Sequence, residues 1–297
     1  MTFLPAGDVG ALGAVPWVPP GPGAATRLHQ VISRAQAQDR SALAAYLPVG
    51  FPNRITGMDA LHLLAQAADI LELGIPHTDG ALDGPVIQQA AHTALASGFR
   101  MRDVFDSARE LATSSSAALL VMTYWQPLHA YGPQRFARDA AAAGIDGVLV
   151  PDLPLEEAKP WQAAAQAAGL GTIPLVSPRT RPDRLARIVT AATAMVYAPA
   201  TDGVTGNSQP VSPRLPGLIT QVRSLTSLPV AAGIGISTPA QARTAAAWAD
   251  VVVVGSAVIR RMQASPRAQI AAAAAAGRDF AAALRPNTGL PEDEDRS

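Results

Sequence analysis

Eight short apolar runs, separated by longer stretches of helical composition, constrain the fold of this chain more than any other feature. The runs span residues 43–49, 69–73, 117–122, 147–150, 172–176, 194–198, 229–233 and 250–254. They are near-continuously apolar and β-branched in places, as strands buried on both faces are. Between them lie Ala-rich stretches such as 85–97, 134–143, 156–168 and 239–247. Strand–helix alternation predicts parallel β/α units. Eight of them predict closure into a (β/α)₈ TIM barrel, one α/β domain over residues 25–285. A helix over 25–38 is expected to cover the barrel floor. A doubly wound open sheet is the alternative architecture. Residues 1–24, rich in Gly, Pro and Ala, read as a flexible arm, and residues 286–297 as a loose acidic tail.

Composition narrows the function. The 297 residues are 48% hydrophobic, ample for one large core. Basic and acidic residues balance at 23 each, with no basic stripe for nucleic acid. There is no cysteine, which excludes disulfides and thiolate chemistry. The five histidines, His29, His62, His77, His92 and His129, lack metal-ligand spacing, so neither metal nor cofactor is expected. No apolar run approaches the ~18–20 residues of a membrane span. The first residues carry no basic segment of a secretory signal, so a cytoplasmic enzyme is expected.

In such a barrel, chemistry sits where strands end and βα loops begin. Glu72 alternates with Leu71 and Leu73 near the end of the second run, which points it into the barrel mouth if the leucines face the helices. A carboxylate there is costly unless used, paired or protonated. It serves either as a proton carrier with a raised pKa or as a structural group bonded to the barrel backbone. Asp83 precedes Gly84-Pro85 at a helix start, where N-capping is the plain reading. Asp79 reads as a turn residue. Glycine-rich turns follow the last three runs, at residues 203–206, 233–237 and 255–256. Together they match a barrel phosphate site, where backbone N–H groups approach an anion because side chains are small.

The segment LELGIPHTDGALDGPVIQQAA resembles the signature of the tryptophan synthase alpha chain family. The resemblance continues, in family order, through VMTYWQPLHAYG, GIDGVLVPDLPLEEA, YAPATDGVTG, VAAGIGISTPAQA and VVVGSAVI, covering roughly residues 40–262. It implies a lyase that cleaves indole-3-glycerol phosphate to indole and glyceraldehyde 3-phosphate in tryptophan biosynthesis. It implies Glu72 and Asp83 as the catalytic pair and Tyr197 as a supporting hydroxyl. It also implies phosphate and substrate contacts at Thr205, Gly206, Gly235, Gly255 and Ser256, an indole pocket that includes Tyr46 and Ile234, and a beta-chain partner.

The residue inventory fits that chemistry. Carbon–carbon cleavage needs an electron sink. A Schiff base needs lysine, and the only one, Lys159, falls in an outer helix. No ligand cluster for a metal is visible. Protonation of indole C3 makes the substrate its own sink, through its nitrogen.

Several positions depart from the family pattern. They include Phe51, His77, Gly80-Ala81-Leu82, Gln126 and Thr201, besides Tyr46 and Ile234 where phenylalanine is frequent. Some belong to the surface that meets the beta chain in the family. Two explanations stand: a stand-alone or specialised indole-producing lyase, and a co-varying beta partner. A weakly catalytic regulatory subunit and another phosphosugar barrel are further alternatives. Trp125, Trp161 and Trp248 are expected to pack, and His129 to face solvent from a loop. Asp152 is expected to orient a loop or contact a partner.

Overall fold

A computed structural model describes residues 26–201 and 209–286. Its eight strands are β1 (Ala42–Pro48), β2 (Ile70–Gly74), β3 (Ala118–Met122), β4 (Gly147–Leu149), β5 (Gly171–Ile173), β6 (Val196–Pro199), β7 (Val230–Gly233) and β8 (Val251–Val254). All pairings are parallel, in the order β5-β4-β3-β2-β1-β8-β7-β6. The eight-stranded barrel expected from the apolar runs is therefore present, and the open sheet is not.

The two ends of that order, β5 and β6, meet through one isolated bridge, Leu175 with Tyr197. The Tyr197 N–H donates to the Pro174 carbonyl at 3.0 Å and the Val176 N–H to the Tyr197 carbonyl at 2.9 Å. Here the structure corrects the expected strand over 172–176: β5 ends at Ile173. Pro174 has no N–H to give, which interrupts the ladder.

Among the described residues the helices are α1 (Arg27–Gln36), α2 (Arg54–Leu64), α3 (Pro85–Ala96), α4 (Met101–Ser114), α5 (Trp125–Tyr131), α6 (Pro133–Ala142), α7 (Lys159–Ala167), α8 (Pro182–Thr190), α9 (Leu215–Arg223), α10 (Pro239–Ala246), α11 (Ser256–Ala264) and α12 (Gln269–Ala283). Thr26 caps α1, its hydroxyl accepting from the His29 N–H at 3.4 Å. Proline opens α3, α6 and α10, where its missing N–H costs nothing and its fixed φ suits the first turn. Lys159 does begin an outer helix.

The barrel floor is built by a repeated device. Asp69, Asp146 and Asp250 each stand just before a strand, and each carboxylate accepts a backbone N–H from the preceding strand segment: Leu43, Leu119 and Val230, all at 2.8 Å. Each also pairs with an arginine: Arg40 at 2.6 Å, Arg27 at 2.9 Å and Arg223 at 3.0 Å. A charge at such depth is tolerable only when paired and hydrogen-bonded in this way.

The tryptophans divide. Trp161 is buried and meets Phe136 edge-on at 6.0 Å, as expected. Trp125 is half-buried beside His129. Trp248 is 40% exposed, contrary to the packing expectation. It stands in the turn joining α10 to β8, beyond the last helical residue whose face meets the barrel. His129 is exposed as expected, but it lies within α5 rather than in a loop.

Candidate active site

The C-terminal ends of the strands surround one pocket. Tyr46 from β1 and Glu72 from β2 are register partners, and both line it. Asp83, Leu82 and Ile87 enter from the β2–α3 segment, and Tyr197 comes from β6. Ile234, Gly235, Gly255 and Ser256 complete the side nearest the ends of β7 and β8. Met122, Leu149, Pro151, Leu175 and Val253 give the pocket apolar walls. It thus gathers eight expected site residues, Tyr46, Glu72, Asp83, Tyr197, Ile234, Gly235, Gly255 and Ser256. Thr205 and Gly206 lie outside the described residues.

Glu72 is buried, and among the described residues no ion pair holds its carboxyl. Burial, followed by the nearby charge of Asp83, lifts its pKa to about 8. A carboxyl left without solvent and beside another carboxyl keeps its proton near neutrality. Asp83 is pushed up to about 6 by burial, opposed by a hydrogen bond from the Tyr124 hydroxyl. One site thus contains a carboxyl protonated at pH 7 and another mostly ionised, the separation of roles that acid–base chemistry needs.

Asp83 does not cap α3. Gly84 occupies the N-cap position and supplies no side-chain bond, leaving the Asp83 carboxylate free to face the pocket. The loop before it is pinned by Gln88, whose Nε2 donates to the Gly80 carbonyl at 3.1 Å and the Asp83 carbonyl at 2.9 Å. Sequence reasoning missed Tyr124. Its hydroxyl accepts the Leu82 N–H at 3.2 Å, one residue before Asp83. Its place directly beyond the end of β3 was the available signal, because strand ends supply the site in a barrel.

The tyrosines depend on glycines. A Cβ on Gly255 would stand 2.9 Å from Tyr46 Cδ1, and one on Gly74 would stand 2.7 Å from its Cζ. The Tyr197 hydroxyl occupies the space a side chain on Gly233 would fill. Burial raises the pKa of both phenols well above the ordinary value, with the carboxyls nearby adding to the effect. Both remain neutral and able to donate.

The turn after β7 carries unusual backbone. Ile234 has φ 58° and Gly235 has φ 100°. Positive φ is costly for a β-branched residue and must be held by its surroundings. Thr201, buried at 2% exposure, donates from Oγ1 to the Ile234 carbonyl at 3.1 Å and fills the space beside Gly235. Ser256 begins α11 and Gly255 is its N-cap, so the free N–H groups of that helix start at the pocket wall. Such a terminus suits an anion.

The remaining rim positions are also placed. Asp152 accepts the Trp125 N–H at 2.8 Å and 3.1 Å, which orients the loop after β3. The His77 ring lies 5.7 Å from that of Tyr124, tilted by 38°. Asp79 is exposed. Among the described residues no cluster of three or more His, Asp or Glu side chains is disposed to hold a metal ion. None of the described helices is long and apolar enough to cross a membrane.

Comparison with known proteins agrees with this geometry. The family profile described as tryptophan synthase alpha chain matches residues 32–285. The tryptophan synthase alpha chain of Streptomyces coelicolor is 42% identical over 240 residues, covering 80% of this chain and 89% of its own. That of Thermobifida fusca is 41% identical over 263 residues, covering 87% and 96%. Among solved structures, a chain of Mycobacterium tuberculosis tryptophan synthase superposes with TM-score 0.82 at 37% identity, covering 88% of this chain and 99% of its own. The tryptophan synthase subunit alpha of Legionella pneumophila gives 0.78 at 31%, covering 88% and 99%. With its barrel and its pocket of paired carboxyls, this chain belongs to the tryptophan synthase alpha chain family.

Proposed function

We propose that the chain is a lyase that cleaves indole-3-glycerol phosphate to indole and glyceraldehyde 3-phosphate. The observation that carries this reading is the pair of pocket carboxyls with separated pKa values, about 8 for Glu72 and about 6 for Asp83. Protonated Glu72 gives its proton to indole C3. Ionised Asp83 accepts the indole N–H bond and stabilises the positive charge that grows on that nitrogen. The resulting indolenine takes up the electron pair released when the C3–glycerol carbon bond breaks. Glu72, now a carboxylate, takes the proton of the glycerol hydroxyl as that carbon becomes an aldehyde. The proton balance closes, and Glu72 ends protonated as it began. Tyr197, neutral and buried beside Glu72, supports that carboxyl. Gly235, Gly255, Ser256 and the start of α11 receive the phosphate through backbone N–H groups, with Thr205 and Gly206 added from the loop after β6. Tyr46 and Ile234 flank the indole.

A beta chain is the proposed partner at the barrel rim. His77 departs from the family pattern, yet its ring is accommodated against Tyr124 within this chain. It is therefore no argument for independence. The decisive experiment is indole release from indole-3-glycerol phosphate by the purified protein, alone and with its beta chain. Turnover that rises with the beta chain is the expected result. No indole under either condition overturns the catalytic reading. Full activity alone, unchanged by the beta chain, overturns the partnered one.

A further inference from the structure

Tyr124 has no assigned role, yet it holds the β2–α3 loop. Its hydroxyl accepts the N–H of Leu82 at 3.2 Å and lies close enough to Asp83 to oppose the rise that burial gives that carboxyl. The Leu82 bond fixes the backbone of the loop one residue before Asp83. The far side of the loop is held independently, by Gln88 on the Gly80 and Asp83 carbonyls. The tyrosine is itself fixed: its ring is buried, His77 lies against it, and the next residue, Trp125, is tied to Asp152. An aspartate one residue before an N-cap has free amides close by as competing partners. Here Gly84, not Asp83, is the cap of α3.

We propose that Tyr124 is a positioning residue that, by holding the loop at Leu82, sets Asp83 toward the pocket for the reaction. The inference rests on the reading of Asp83 as the partner of the indole nitrogen. A hydroxyl donor interacts more strongly with a carboxylate than with the protonated acid, so its nearness favours the charged form of Asp83. Other groups face this pair. Glu72 from β2 and Tyr46 from β1 act on it across the pocket, and Asp152 and His77 flank Tyr124 from the rim.

The test is Tyr124→Phe, which keeps the ring against His77 and removes only the hydroxyl. Two quantities are read: the acid limb of kcat/KM against pH, and the titration of the Asp83 carboxyl by NMR in the substrate-free protein. Both are expected to move to higher pH, with kcat lowered about tenfold and KM changed less. In an Asp83→Asn background the same substitution is expected to have little further effect, since groups that act as a unit are non-additive. Should Tyr124→Phe not fold, 3,5-difluorotyrosine at position 124 keeps the hydroxyl as a stronger donor, and both readings should move to lower pH. An unmoved Asp83 titration, or fully additive losses with Asp83→Asn, overturns the proposal. If the wild-type protein releases no indole, the functional reading fails instead, and the NMR titration still decides whether Tyr124 acts on Asp83.

Discussion

The ring of Tyr46 occupies the room that a side chain on Gly255 would need, with a Cβ there only 2.9 Å from Tyr46 Cδ1. Gly255 therefore does two things at once. It leaves the start of α11 open to an anion and it seats the aromatic wall of the pocket. Gly255→Ala is expected to destabilise the protein by about 1–3 kcal/mol through overpacking, measured by urea unfolding. It should also reduce turnover in the molecules that remain folded, because Tyr46 is displaced toward Glu72.

Glu72→Gln should reduce indole release by roughly 10²- to 10⁴-fold, the usual worth of a positioned proton carrier. Turnover like that of the wild type would remove Glu72 from the mechanism.

The same residue shapes stability. In the native protein Glu72 holds its proton up to about pH 8, while an unfolded glutamate releases it near 4.5. Between these values the native state binds more protons, so the contribution of Glu72 to stability falls as pH rises. The slope approaches roughly 1.4 kcal/mol per pH unit. Urea unfolding across this window should show the decline in the wild type, and Glu72→Gln should flatten it.

The rate should follow a bell-shaped pH profile. Activity rises as Asp83 ionises near pH 6 and falls as Glu72 loses its proton near pH 8. Because the two carboxyls interact, the limbs belong to the pair. Asp83→Asn should remove the acid limb while lowering the maximum rate. Its persistence would assign that limb to another group.

Asp250→Ala breaks a nearly dry pair with Arg223 and leaves the Val230 N–H without its acceptor. A loss of about 3–5 kcal/mol is expected, read as a lowered Tm. The pair lies at the barrel floor, so kcat per folded molecule should remain within about twofold of the wild type.

The apolar runs announced the barrel because parallel strands buried on both faces cannot alternate in character. Their ends were less legible. Pro174 stopped β5 early for want of an N–H, a local effect inside an otherwise strand-like run. Glu72 was readable from its polarity among leucines. Asp83 was ambiguous, since an aspartate before Gly-Pro also suits a cap, and only the fold shows Gly84 taking that place. Tyr124 was illegible because its partners, Leu82 and Asp83, are about forty positions away in sequence. Thr201 read only as a departure from the family pattern, whereas in the folded chain it buttresses the Ile234–Gly235 turn.

The single bridge between Leu175 and Tyr197 makes one seam of the barrel weaker than the other seven. That seam runs along a wall of the pocket, and both of its partner residues line the cavity. The wall with the sparsest strand pairing is therefore the one that presents Tyr197 to the cavity.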